Sequence, residues 1–165
     1  MLKNLSIESR PPAGYNELQP NGGDETMPYL VREWMSSPVV VVDHDTSVSY
    51  AMTLMRRRSI HSVLVMGEDR SYGIVTITDI RDKIVAGERN PAETSVGSIM
   101  SGPLVLAMPD WTLIECSRVM QEHHIHHLPV QDESGAIIGL ISATDIFRAV
   151  EETGWQTGEE RKKGS

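Results

Sequence analysis

The stretch VREWMSSPVVVVDHDTSVSYAMTLMRRRSIHSVLV, residues 31–65, is rewritten at residues 96–130 as VGSIMSGPLVLAMPDWTLIECSRVMQEHHIHHLPV, an offset of 65 positions. Met35 returns as Met100, Pro38 as Pro103, Asp45 as Asp110, Met55 as Met120, and Ile60-His61 as Ile125-His126. One extra residue then enters a turn, and GIVTITDI from Gly73 meets GLISATDI from Gly139 at an offset of 66. A single insertion within a turn is what a duplicated structural unit absorbs most easily, because connections run over the surface. The chain is one unit written twice, and that repetition decides the fold.

Each copy reads alike. A short apolar run at 39–42, or 104–107, predicts a strand. Asp45 and Asp110 then stand where a helix N-cap is wanted. The matched positions Val48/Leu113, Ala51/Cys116, Leu54/Val119 and Met55/Met120 are apolar at i, i+3, i+6 and i+7, the buried stripe of a helix, so these methionines read as core filling. Two β-rich runs follow, SVLVM and YGIVTI in the first copy, HLPV and AIIGLIS in the second, parted by the turn residues GEDRS and DESG. Pro129 has no N–H to give a ladder, which places its strand at an edge or turns that position outward. A last helix is expected from Thr78-Asp79 and from Thr144-Asp145.

The order strand, helix, strand, strand, helix predicts an α/β (α+β) chain: two βαββα repeats, each a small sheet with helices laid on it. A unit of about sixty residues buries too little to be comfortable alone, so the two are expected to pack face to face around a pseudo-twofold axis. The boundaries follow as an N-terminal arm at 1–28, with four prolines and no periodicity, a first repeat at 29–88, a linker at 89–95 within GERNPAETS, a second repeat at 96–152, and a C-terminal tail at 153–165.

Composition narrows the function classes. A formal charge of −8 and a pI near 5.2 argue against nucleic-acid and anionic-membrane partners, which need a basic face to displace counterions. Cys116 is the sole cysteine, which fits a reducing, cytoplasmic setting and reads as a small core side chain. The N-terminal residues lack an unbroken apolar core of signal-peptide length, and no run approaches the roughly 18 apolar residues of a spanning helix. No motif sets a nucleophile beside a base, so the chain is not expected to be an enzyme.

Three pairs of motifs, MSSPVVVV and MSGPLVLA, IHSVLV and IHHLPV, GIVTITDI and GLISATDI, resemble the tandem cystathionine β-synthase (CBS) domain pair, or Bateman module, across roughly residues 30–150. The resemblance implies two clefts between the repeats that hold adenosine-containing ligands such as AMP, ADP, ATP or S-adenosylmethionine, and a homodimer of modules. It carries the ligand contacts onto Pro38, Val39, Val40, His61, Thr76, Thr78, Asp79, Pro103, Leu104, His126, His127, Ser142, Thr144 and Asp145. It implies no resident cofactor; the adenine nucleotide is a regulatory ligand, and the module acts free-standing or on an unidentified protein target in trans.

The residue types suit that task. In Thr76-x-x-Asp79 and Ser142-x-x-Asp145 a carboxylate can accept from both hydroxyls of a ribose, and the hydroxyls with free backbone N–H groups at a helix start can receive a phosphate. Gly73 and Gly139 let the strand approach a backbone or a ligand closely. The same hydroxyl-to-acid spacing is that of a capping box, wanted at a helix start with no ligand at all. Residue chemistry leaves both readings open; the resemblance favours ligand contact for at least one site.

The histidine cluster QEHHIHHLPVQ, 121–131, divides under the alignment. His126 matches His61, and the resemblance places a phosphate-contacting basic residue there or one place on. His127 takes that next place, where the first copy has Ser62, which makes the second cleft the more basic; a phosphate would hold the imidazolium, so affinity should fall as pH rises past neutrality. His123 and His124 complement a helix dipole, as Arg56, Arg57 and Arg58 do in the first copy, and His44 reads as exposed. No metal site is assigned: His124 and His126 could share a strand face, but no Cys pair or carboxylate at a standard spacing supports them. Two alternatives to the ligand sensor remain, an interaction protein with empty clefts and a metal-responsive protein using HHIHH.

Overall fold

The apolar stripes fold as helices. In the computed structural model, which describes residues 29–155, α2 spans Val48–Arg58 and α4 spans Leu113–His123, burying Val48, Ala51 and Met55 in the first and Leu113, Cys116, Val119 and Met120 in the second. The stretch read as an N-terminal arm and the last part of the tail lie outside the described residues. Each helix ends on a left-handed residue, Ser59 at φ 52° and His124 at φ 54°, and the basic side chains of the last turn sit at the negative end of the dipole.

The caps differ from expectation. The N-cap of α2 is Ser47, whose side chain accepts from the Tyr50 N–H, and that of α4 is Thr112, in a full capping box with Glu115. Asp45 and Asp110 sit two residues too early. Asp110 instead pairs with Arg32 of the other half.

The first half builds a three-stranded sheet in the order β1-β2-β3, with β1 Val41–Asp43 parallel to β2 Ser62–Met66, and β2 antiparallel to β3 Tyr72–Thr76. Among the described residues the second half keeps only β4 His127–Gln131 and β5 Ile137–Ser142, antiparallel. The strand expected at 104–107 is reduced there to a single parallel bridge between Ala107 and Val130. The reason is Pro129. Its counterpart Leu64 donates its N–H to Val40 O at 2.9 Å and so ties β1 to β2, whereas proline at the matching place has no N–H for Val105 O. β4 is thus the near-edge that the proline demands.

Each half closes with a helix begun at a hydroxyl residue, Thr76 for α3 and Ser142 for α5, two residues earlier than the expected Thr78 and Thr144. α3, Ile77–Asp79, widens into a π-helical segment at Ile80–Val85, while α5, Ala143–Thr153, is regular. Trp155, assigned to the tail from sequence, stacks on Tyr29 at 4.6 Å between centroids and packs on the second core.

The halves are not side by side but interlocked. The short helix α1, Val31–Trp34, opens the first repeat yet packs with Val31, Trp34 and Met35 in the second core. The 3-10 turn Val96–Ser98 opens the second repeat yet packs with Val96, Ile99 and Met100 in the first. The hydrogen bonds repeat the exchange: Val31 N donates to Trp111 O at 2.8 Å, and Val96 N to Thr46 O at 2.8 Å. This is pseudo-twofold symmetry, each repeat lending its first turn to its neighbour.

Candidate functional site

The exchange creates the seam. Past α1, Ser36 bridges Leu140 of β5, and past the 3-10 turn, Ser101 bridges Ile74 of β3. These approaches need glycine: a Cβ on Gly139 would stand 2.5 Å from Met35 Sδ and 3.0 Å from Ser36 O, and one on Gly73 would stand 2.6 Å from Met100 Sδ and 3.1 Å from Ser101 O. The two glycines serve the approach of another backbone.

Each crossing strap then borders a cavity. The first, about 240 Å³, has walls from Pro38, Val39, Val40 and His61 of the first repeat and Ser142, Thr144 and Asp145 of the second. The second, about 250 Å³, joins Thr76, Thr78 and Asp79 of the first repeat to Pro103, Leu104 and His126 of the second. His127 borders both. Every residue singled out in the sequence as a ligand contact therefore lines one cleft or the other.

Asp79 and Asp145 lie at helix starts, each 8% exposed. The hydroxyl-to-acid spacing forms a capping box at both helix starts, and each acid lines a cleft. Asp79 Oδ2 accepts from Thr76 N at 2.8 Å, and Asp145 Oδ2 from Ser142 N at 2.9 Å, closing capping boxes whose second carboxylate oxygens face other partners. Those partners went unread in the sequence. Lys83 donates to Asp79 Oδ1 at 2.8 Å, and Arg148 to Asp145 Oδ1 at 3.3 Å. Their spacings, i+4 and i+3 from the acid on one helix, were the signal available. Arg148 also lies 6.0 Å over the Trp34 ring.

The charge distribution revises the expectation of a more basic second cleft. Arg148, a permanent cation, lines the first. His127 is held neutral: burial first, then the neighbouring His126 and His61, push its pKa down to about 4, against a smaller upward pull from Asp145 and Asp79. The loss of affinity above neutral pH expected of His127 does not follow from a ring that stays uncharged there. Cys116 is fully buried, and burial followed by the charge of Glu115 pushes its thiol up to about 12, which leaves it a core side chain.

His124 and His126 both border the second cleft, but among the described residues no three His, Cys, Asp or Glu side chains gather around one point that could hold a metal ion. Among the same residues no helix is long and apolar enough to cross a membrane.

Comparison with known proteins follows the repeat. The family model of the CBS domain matches twice, at residues 31–86 and 96–152. An uncharacterized protein of Methanopyrus kandleri is 33% identical over 105 residues; the match covers 63% of this chain, which spans only 53% of that protein's length. A signal-transduction protein with CBS domains from Burkholderia ambifaria, described as putative, superposes with a TM-score of 0.65 at 35% identity, covering 73% of this chain and 88% of that one. The CBS domain pair of protein MJ0100, solved with 5′-methylthioadenosine and S-adenosyl-L-methionine, superposes with a TM-score of 0.65 at 21% identity, covering 75% and 97%. With both halves matched by one family and the same paired fold in its structural neighbours, this chain belongs to the CBS-domain family and carries a tandem CBS pair.

Proposed function

We propose that the protein is a regulatory module that senses an adenosine-containing small molecule in the seam between its CBS repeats. The observation that carries this reading is the first cleft. It sets a carboxylate, Asp145, at a helix start opposite apolar walls from Val39, Val40, Ile60 and Leu64, with Ser142, Thr144, His61 and Arg148 around it. A ribose diol suits the carboxylate, a purine suits the aliphatic walls, and a phosphate suits the hydroxyls and the arginine. The solved MJ0100 pair, which shares the fold, holds two adenosyl compounds.

Since both repeats line each cleft, a ligand that bridges them favours the relative placement it fits best, and a partner surface reads that placement. A homodimer and a protein target belong to the same proposal. Ile77 and Val85 at the end of the first repeat and Phe147 and Val150 at the end of the second are exposed apolar side chains that a second copy would cover. The acidic chain, with one permanent cation at the first cleft, favours a monophosphate or a sulfonium over a triphosphate.

Thermal melting with AMP, ADP, ATP and S-adenosylmethionine tests this. A ligand at 100 times its Kd adds about 2.7 kcal/mol, a rise of roughly 5–10 °C for a chain of this size. AMP or S-adenosylmethionine is expected to give the largest rise, and a flat response to all four would remove the reading.

A further inference from the structure

The two clefts are nearly equal in size, about 240 and 250 Å³, but not in chemistry, and the difference lies in the acids. A carboxylate offers about four lone-pair positions. Asp79 has all four taken: Oδ2 by Thr76 N at 2.8 Å and Thr76 Oγ1 at 3.1 Å, Oδ1 by Lys83 Nζ at 2.8 Å and Ser101 Oγ at 3.0 Å. Lys83 is anchored further by a 2.6 Å bond to Ile99 O, so its ammonium ties α3 to the strap that crosses from the other repeat.

Asp145 is less committed. Ser142 N and Oγ hold Oδ2 at 2.9 and 2.8 Å, but among the described residues Oδ1 meets only Arg148, at 3.3 Å. That is longer than the roughly 2.7–2.9 Å of a well-formed charge-assisted bond. The Arg148 side chain is 51% exposed, resting 6.0 Å over the Trp34 ring and 4.0 Å from Glu152 Oε1, with its guanidinium at the cleft. The sequence accounts for the asymmetry: at the offset of 66, the place of Lys83 is taken in the second repeat by Ala149, and the place of Arg148 in the first by Asp82, which pairs with Arg81 instead. A ribose hydroxyl arriving at Asp79 Oδ1 would have to displace a bond already made, either the Ser101 hydroxyl for no gain or the Lys83 ammonium for a neutral donor about half as strong. At Asp145 it takes an acceptor position already open.

We propose that Lys83 closes the Asp79 cleft to a ribose, so that each chain binds one adenosine-containing ligand, in the Asp145 cleft. This rests on the nucleoside reading above and adds to it which cleft is filled and which residue excludes the other. Lys83 is thereby a specificity-determining residue that no repeat-to-repeat symmetry would supply.

Isothermal titration with AMP, and with S-adenosylmethionine in parallel, decides it. The wild-type chain is expected to bind one equivalent, D145N none, and D79N still one. K83M, which keeps the apolar stem, is expected to bind two. Melting curves establish that each variant is folded; should K83M fail to fold, K83Q is titrated in its place with the same expectation of two equivalents, while D79N and D145N identify the cleft that is filled. Two equivalents in the wild type, loss of binding in D79N rather than D145N, or a folded K83M or K83Q still at one equivalent would overturn the inference while leaving a nucleoside sensor intact. No heat with either compound in any variant would remove the nucleoside reading and this inference together.

Discussion

Burial acts strongly on His127, as it does on Cys116. The His127 pKa in the fold is about 4 against an ordinary value of 6.5, so the unfolded chain takes up a proton below pH 6.5 that the folded chain refuses until about pH 4. The unfolded state binds more protons in that window, and stability therefore rises with pH from about 4 to 6.5 and is fully present above it. The contribution amounts to at most about 3 kcal/mol. Replacing His127 by Ser, the residue of the first repeat at the matching place, should flatten the urea-unfolding stability between pH 4 and 6.5; an unchanged slope would show that the ring is not held neutral. The sequence displayed His127 beside His126 but not its burial, because depth depends on how the second half docks. Asp45 and Asp110 misled for a local reason: acids near a helix start are common, and here Ser47 and Thr112 stand two residues closer.

Helices and hairpins were legible from their periods, since α2 and α4 carry apolar stripes and β2 to β5 carry β-branched runs between turn residues. What was not legible was which half each short element serves. α1 and the 3-10 turn at Val96–Ser98 are too short to show a face, and their apolar residues complete the core of the opposite repeat. Nor did the apolar run at 104–107 disclose that its ladder would fail, although Pro129 in the facing strand held the explanation. The exchange depends on close backbone approach at Gly73 and Gly139. Changing Gly139 to Ala puts a methyl group 2.5 Å from Met35 Sδ and 3.0 Å from the Ser36 carbonyl, which cannot all be relieved by turning a side chain. A loss of about 1–3 kcal/mol is expected, with a lower urea midpoint and an unchanged m value. Wild-type stability in that variant would mean the strap does not lie where the structure has it.

At the scale of the whole molecule, duplication made the architecture plain and interlocking made the clefts. Two halves of about sixty residues would each bury a marginal core, and trading their first turns ties the two cores to each other, with two clefts between the repeats. All the cleft residues read from the sequence fall on that seam, because the motifs that mark the repeat are the motifs that cross it. The inequality of the clefts was hidden by the same symmetry: aligned acids look equivalent until Lys83 is seen on one and Ala149 at its matching place beside the other. The most direct test is a crystal structure of the chain grown with the adenosyl compound that most raises its melting temperature. The account requires density in the cleft between Val39-Val40 and α5, with the ribose hydroxyls on Asp145 Oδ1 and Lys83 still on Asp79. A ligand bound away from the seam, or a seam left empty at saturating concentration, would contradict it.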